Sequence, residues 1–296
     1  MKALSIAKCK LVAAMFIFGT IGLFVRSVSL PSSVIALVRG VIGAAFLLGV
    51  IAVRRTRISV TAVRKNLIWL VLSGAFIGFN WILLFEAYRF TAVSTATLCY
   101  YMAPILVILV SPFVLREKLT ARKLICVLIA LVGMVCISGV LQGTMPSSGE
   151  EKGIACGLGA AVLYACVILM NKQICDISAF DKTIVQLGIS ALALVPYCLL
   201  TVPPDVLQVS PGDILVLFFV GIVHTGLAYY LYFGAMDHVS GQTVAIISYI
   251  DPVVAILVSM VILQEGMVPV EAVGAVLILG AAAASEFSGR KGRRET

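Results

Sequence analysis

The chain has 296 residues, 61% of them hydrophobic and 12% charged, with a mean hydropathy of +1.11 and a formal net charge of +8. Soluble domains run at roughly 45–50% apolar and about 25% charged, so the composition excludes an ordinary soluble domain, a disordered chain and a secreted disulfide scaffold. A membrane span takes about 20 residues, so ten spans would use roughly 200 and leave no room for a large soluble domain.

In chain order, apolar runs of membrane length fall at 9–27, 31–53, 66–88, 92–115, 121–141, 153–172, 181–202, 212–236, 240–263 and 268–287. The breaks after the third and eighth runs are tight, and a count of nine follows if one of them is not a turn. Lys2, Lys8 and Lys10 ahead of the first run resemble a secretory signal, but no small-x-small cleavage site follows, so an uncleaved first helix is expected. The eight cysteines (Cys9, Cys99, Cys126, Cys136, Cys156, Cys166, Cys175 and Cys198) are scattered singly in or beside apolar runs. With no CxxC pair and no His neighbour they read as small packing residues, and no metal or cofactor is expected.

Basic residues stay on the cytoplasmic side of a bilayer. With the N-terminus inside, cytoplasmic segments hold 18 of the 22 Lys and Arg, and the outer segments hold Arg26, Arg89 and Lys152. Arg39 lies within the second run. Both termini are therefore expected in the cytoplasm of a multi-pass plasma-membrane protein. The net charge then reflects insertion and anionic lipid, without a nucleic-acid partner.

A shift of 148 positions superposes residues 85–119 on 233–267 without a gap, with 11 of 35 pairs identical. These include Thr95/Thr243, Tyr101/Tyr249, Pro104/Pro252, Ser111/Ser259, Leu115/Leu263 and Glu117/Glu265, matches that apolar composition alone does not readily generate. Each unit holds five helices, so the second copy enters the membrane inverted. The charges agree: the loop REKLTARK after the fourth run is basic, whereas its mate QEGMVPVE has no Lys or Arg. The fold class expected is an all-α membrane protein of ten helices in two inverted repeats, 1–146 and 147–296, an architecture of transporters that bind substrate near the midplane between the halves.

The duplicated unit and its YxxP…L…E element (Tyr101, Pro104, Leu115, Glu117; Tyr249, Pro252, Leu263, Glu265) resemble the drug/metabolite transporter superfamily, specifically its ten-helix EamA-like branch. The likeness runs from about Lys10 to Glu286. Where that family often has Gly before the Glu, this chain has Arg116 and Gln264. The resemblance implies movement of small metabolites, commonly amino acids and their derivatives, often outward and often proton-linked, without fixing one substrate.

Ionisable groups inside the membrane cost a few kcal/mol and mark pathways. Arg39, roughly 12 Å from the outer end of its helix at ~1.5 Å per residue, is either a structural partner of Asp251, a snorkelling anchor, or a guanidinium fork for a substrate carboxylate. Asp251, mid-span beside Pro252, is either paired or a proton site and anchor for an amine. His224 is a neutral, hydrogen-bonded histidine or a proton relay, and Glu86 is a solvated rim residue. Pro104 and Pro252 sit mid-span as hinges that free the carbonyls of Tyr100 and Ser248, which must then meet other helices or a wet cavity. Asn80, Trp81, Tyr100, Tyr101, Tyr229, Tyr230 and Tyr249 gather at comparable depth, with Tyr164 more loosely attached. They are packing aromatics or, with Arg39 and Asp251, the lining of a site for a small zwitterion with an apolar side chain. Gly74 and Gly78, like Gly153 and Gly157, have small-xxx-small spacing that close helix packing explains.

No HExxH, GxSxG, P-loop or dinucleotide turn is set in a plausible context, so an enzyme is not expected. Transport energy would come from an ion gradient or from the substrate's own. The leading expectation is a secondary transporter, an exporter of a small metabolite. The alternatives are a lipophilic-cation exporter using Asp251 or, from another class, a membrane enzyme or non-transporting sensor. Small-molecule substrate, lipid and protons are the expected partners, and the oligomeric state is left open. Reporter fusions at the two ends should both report the cytoplasmic face; opposite faces would contradict the paired five-helix reading.

Overall fold

A computed structural model describes residues 2–114, 121–137, 148–171, 173–236, 247, 250–264 and 266–287. Leu115, Glu117, Ser248, Tyr249 and Glu265, singled out above, lie outside the described residues.

The described residues form helices and turns. They are α1 (Lys2–Gly19), α2 (Ile21–Arg26), α3 (Ser32–Arg54), α4 (Val60–Lys65), α5 (Leu67–Phe90), α6 (Val93–Tyr100), α7 (Ala103–Val114), α8 (Ala121–Ile137), α9 (Ser148–Asn171), α10 (Ala179–Thr201) and α11 (Pro211–Phe219), then a π-helical segment at Val220–Leu227, α12 (Ala228–Met236), α13 (Ile250–Val261) and α14 (Pro269–Phe287). Seven helices, counting joined ones together, are long and apolar enough to cross a membrane: Ile6–Arg26, Ser32–Arg54, Leu67–Phe90, Thr95–Val114, Gly149–Asn171, Phe180–Thr201 and Pro211–Tyr232. Three shorter apolar helices, Leu124–Gly133, Ile250–Val261 and Ala272–Ala281, fall on the fifth, ninth and tenth runs. Parts of the fifth and ninth runs lie outside the described residues.

Boundaries follow capping chemistry. Ser178 accepts from the Asp181 amide at the start of α10, and Ser210 with Asp213 forms a capping box ahead of Pro211 on α11, each satisfying amides that the helix itself leaves unpaired. Leu199, Leu200, Phe113 and Val53 are each at least 79% exposed. In water such faces would be a liability; in lipid they are the expected outer surface. The inward faces of α3, α5 and α10 meet in one core containing Leu47, Phe85, Leu187 and Leu194.

Packing pairs recur in a pattern. By run number, the third packs on the sixth (α5 on α9) and the eighth on the first (α12 on α1). The seventh packs on the third (α10 on α5) and the second on the eighth (α3 on the π segment). The fourth packs on the sixth (α6 and α7 on α9) and the ninth on the first (α13 on α1). The second and seventh, the fourth and ninth, and the fifth and tenth pack on each other. Moving each helix five runs along the chain converts every one of these pairs into another of the set or into itself.

Glycines let the pairs approach. A Cβ on Gly74 would stand 2.9 Å from the Gln186 carbonyl and from Ile189, and one on Gly157 would stand 2.8 Å from Cys99. Gly78 and Gly153 meet Ser190 and Thr91 as closely, so both small-xxx-small pairs sit at helix contacts.

The loops are tied at both ends of α3. At its C-terminal end, Lys65 pairs with Asp176 at 2.6 Å. Asn66 exchanges bonds of 2.8 and 3.1 Å with the Cys175 backbone, and the Ser59 amide donates to Asp181. At its N-terminal end, the amide and hydroxyl of Ser29 donate to Asp213 at 3.3 and 3.2 Å, and Arg89 donates to the Leu30 carbonyl. The Lys65–Asp176 bond holds the Asp176 carboxyl below the usual carboxylate range and raises the Lys65 ammonium. The ion pair is therefore present at neutral pH and is lost as pH falls through the Asp176 titration or rises through that of Lys65.

Gly74→Val should lower thermal stability in detergent by about 1–3 kcal/mol, the usual cost of forcing volume into a packed contact; unchanged unfolding would mean that α5 and α10 do not meet there. Lys65→Ala should have a small effect that vanishes in 1 M salt, where screening acts over about 3 Å.

Candidate functional site

The buried face of α3 carries Ser32, Ile35, Ala36, Arg39, Gly40, Gly43 and Leu47, the three-and-four spacing of one helical stripe. Arg39 is on that inward stripe and is 3% exposed, so it does not snorkel outward. Its guanidinium lies over Trp81, 4.1 Å from the ring centre, and 5.3 Å from that of Phe85 one turn along α5. Its Nε donates to the Thr225 hydroxyl at 2.9 Å. Among the described residues no acid lies within salt-bridge distance of Arg39, and the hydrogen bond that holds the guanidinium is the one from Nε. Insertion scales charge roughly 2.5–3.5 kcal/mol for a central Arg. A desolvated cation–π contact returns about 2 kcal/mol and a hydrogen bond to a charged group about 1.5–3 kcal/mol, so the cage offsets that cost without a counter-ion.

His224, within the eighth apolar run, lies in the π segment, as does Thr225. Such wide turns often mark functional positions. The Thr225 hydroxyl lies 3.3 Å from the Val220 carbonyl, to which it donates. Its neighbour His224, 1% exposed, points to the break between α1 and α2, where Nε2 is 3.1 Å from the Thr20 hydroxyl. With the Thr20 proton directed at the Ile17 carbonyl, 2.8 Å away, the ring donates through Nε2. Nδ1 is then a lone pair without a partner among the described residues. Phe24 and Phe219 flank the ring at 5.1 and 5.5 Å.

Asp251 opens α13, and the Tyr101 hydroxyl bonds its carboxyl group. The sequence leaves open a direct Arg39–Asp251 pair; no such pair is made. Tyr88, Tyr100 and Tyr229 instead stand within electrostatic range of both charges. Tyr229 also takes a hydrogen bond from the Trp81 indole and contacts Phe18. Tyr164 stacks against Tyr100 at 5.2 Å.

Other residues grouped with these by depth point elsewhere. Asn80 donates to the Ala160 carbonyl at 2.5 Å, binding α5 to α9. The Tyr230 hydroxyl accepts from Arg54, and its ring meets Phe180. Glu86 sits near Arg89 at the end of α5, 3.9 Å away. Pro104 does not interrupt a continuous helix: α6 ends at Tyr100, the chain turns through Tyr101 and Met102, and Pro104 occupies the first turn of α7, where a missing amide costs no helical bond. Pro252 is the third residue of α13 (Ile250–Val261), and residues 248 and 249 ahead of that helix lie outside the described residues. No cluster of His, Cys, Asp and Glu able to hold a metal occurs among the described residues. Thr225, Phe85, Tyr88 and Phe18 escaped the sequence reading. Of these, Phe85 alone has a usable signal in the sequence, its place four residues after Trp81.

A solved crystal structure shares the fold, with a TM-score of 0.65 and 21% identity, covering 96% of this chain and 98% of that one. An uncharacterized transporter of Bacillus subtilis (strain 168), YxxF, is 31% identical over 88% of this chain and 83% of its own length. An aromatic amino acid exporter, YddG, of Ancylobacter novellus is 23% identical over 76% of this chain and 77% of its own. The model of the EamA-like transporter family matches twice, at residues 5–139 and 151–285. Together those matches take in nearly the whole sequence, and the chain belongs to the EamA-like transporter family.

Proposed function

We propose that this multi-pass membrane transporter is a secondary exporter of a small carboxylate-bearing metabolite, an amino acid or derivative with an apolar or aromatic side chain. It works by alternating access in the plasma membrane. The observation that carries the reading is Arg39: a buried, permanently charged fork with no acid partner among the described residues, stacked on Trp81 and held through Nε by Thr225. Planar carboxylates fit that edge bidentately. Asp251, held by Tyr101 and set apart from Arg39, takes the substrate amine and exchanges the coupling proton. Tyr88, Tyr100 and Tyr229 bridge the two charges and shape the pocket for the side chain. Tyr249 and Ser248, two and three residues before Asp251 in the sequence, are kept as substrate contacts on the sequence pattern alone, and His224 supports the π segment beside it. The name of the Ancylobacter relative, an aromatic amino acid exporter, agrees with this choice of substrate class.

The two halves, 1–146 and 147–296, act as inverted repeats that rock about the site. Supporting this are the family's two matches, the 11 identities in one register and packing pairs that exchange when each helix moves five runs along. Pro104, in the first turn of α7 after the break at Tyr101 and Met102, and its repeat-mate Pro252 mark the hinges. The basic loops put both termini in the cytoplasm. A lipophilic cation is the weaker candidate, because Arg39 repels it from the pocket that Asp251 would offer.

The test is uptake of a labelled amino-acid panel into proteoliposomes, with and without an imposed pH gradient. Arg39→Ala should cut transport by about 10–100-fold, the worth of one charge-assisted contact at 1.4 kcal/mol per decade. Asp251→Asn should abolish the response to the gradient. Transport unchanged by both substitutions, or competition by quaternary amines rather than amino acids, would remove the assigned roles.

A further inference from the structure

The π segment presents a threonine to Arg39 in a geometry with little freedom. An i→i+5 turn inserts one residue relative to α-helical register and so rotates the downstream residues by about 100°. Thr225 thereby faces α3. Its methyl nests against Gly43, where a Cβ would stand 2.4 Å from Cγ2. Its proton is committed to the Val220 carbonyl at 3.3 Å, which leaves an oxygen lone pair as the acceptor for Arg39 Nε at 2.9 Å. Glycine at 43 and the carbonyl at 220 together fix the rotamer, and the rotamer fixes which way the hydroxyl accepts.

We infer that Thr225 is a positioning residue: it pins Arg39 at Nε, so that the guanidinium lies flat on Trp81 and keeps its Nη edge for an incoming anion. A bond at one Nη would hold the same charge but spend a donor of the Nη1–Nη2 edge. The anion-capture half of this statement rests on the transport reading above; the orientation half does not. Thr225 itself touches no substrate and acts through Arg39.

The orientation can be read without knowing the substrate. The chain has two tryptophans, Trp69 and Trp81, so in a Trp69→Phe background the indole emission reports Trp81 and the cation stacked on it. Thr225→Val should shift that emission in the same direction as Arg39→Gln, and Thr225→Ser, which restores the hydroxyl, should return the parent spectrum. In proteoliposomes, Thr225→Val should raise KM for the transported amino acid about tenfold with Vmax retained. If Thr225→Val is not monodisperse in detergent, Thr225→Ala removes the same hydroxyl with less bulk and takes its place. A Thr225→Val spectrum identical to the parent, alongside a shifted Arg39→Gln spectrum, overturns the inference and leaves the transport reading intact. An Arg39→Gln spectrum identical to the parent overturns the stacking on which the inference stands. Transport insensitive to Arg39→Ala, with the spectral shifts present, overturns the transport reading and leaves the orientation standing.

Discussion

A guanidinium that cannot lose its charge, held inside an apolar bundle without an acid partner among the described residues, is the constraint around which the rest of the site is arranged. Charge burial is tolerated when the surroundings replace water. Here the replacement is a ring face, a second ring and one hydroxyl. They come from neighbours of α3 that depend on close packing: Gly43 admits Thr225, and Gly221 admits Ile42. The fold around α3 is thus inseparable from the chemistry of Arg39. An acid at Thr225 would satisfy the same charge but leave nothing for a ligand to neutralise.

The sequence carried the membrane class, the helices and the two charges plainly, because each rests on a strong local signal. Twenty apolar residues in a row have few readings, and one Arg inside such a run stands out. Azimuth was harder. Asn80 and Trp81 are adjacent and share a depth, yet successive helical residues diverge by about 100°, so one binds the α9 backbone while the other meets Arg39. Tyr229 and Tyr230 part in the same way. Thr225 had no signal at all: a threonine in an apolar run is commonplace, and the π turn that aims it depends on tertiary contacts with α3. Pro104 was visible but placed in the wrong context, since the break at Tyr101 and Met102 precedes it.

The α1–α2 break belongs to the same construction. Thr20 closes the turn through Ile17 and receives His224, so the two consecutive residues of the π segment grip different partners, Arg39 on one side and the broken first span on the other. Gly19, just before the break, lies where a Cβ would come within 2.5 Å of the Asp251 carbonyl. The first span therefore touches both the π segment that holds Arg39 and the helix that carries Asp251.

The fastenings at the two ends of α3 differ in kind. One adds to the neutral bonds of Asn66 with the Cys175 backbone an exposed ammonium–carboxylate pair, Lys65 and Asp176, whose attraction fades as mobile ions crowd in. The other gathers neutral hydroxyls and amides of Ser29 and Ser210 around Asp213, a short-range arrangement that electrolyte barely touches. Under the rocking-halves reading, a rise in osmotic salt would loosen one door and leave its counterpart shut, so the resting balance between the two openings would follow the ionic content of the compartment that bathes Lys65.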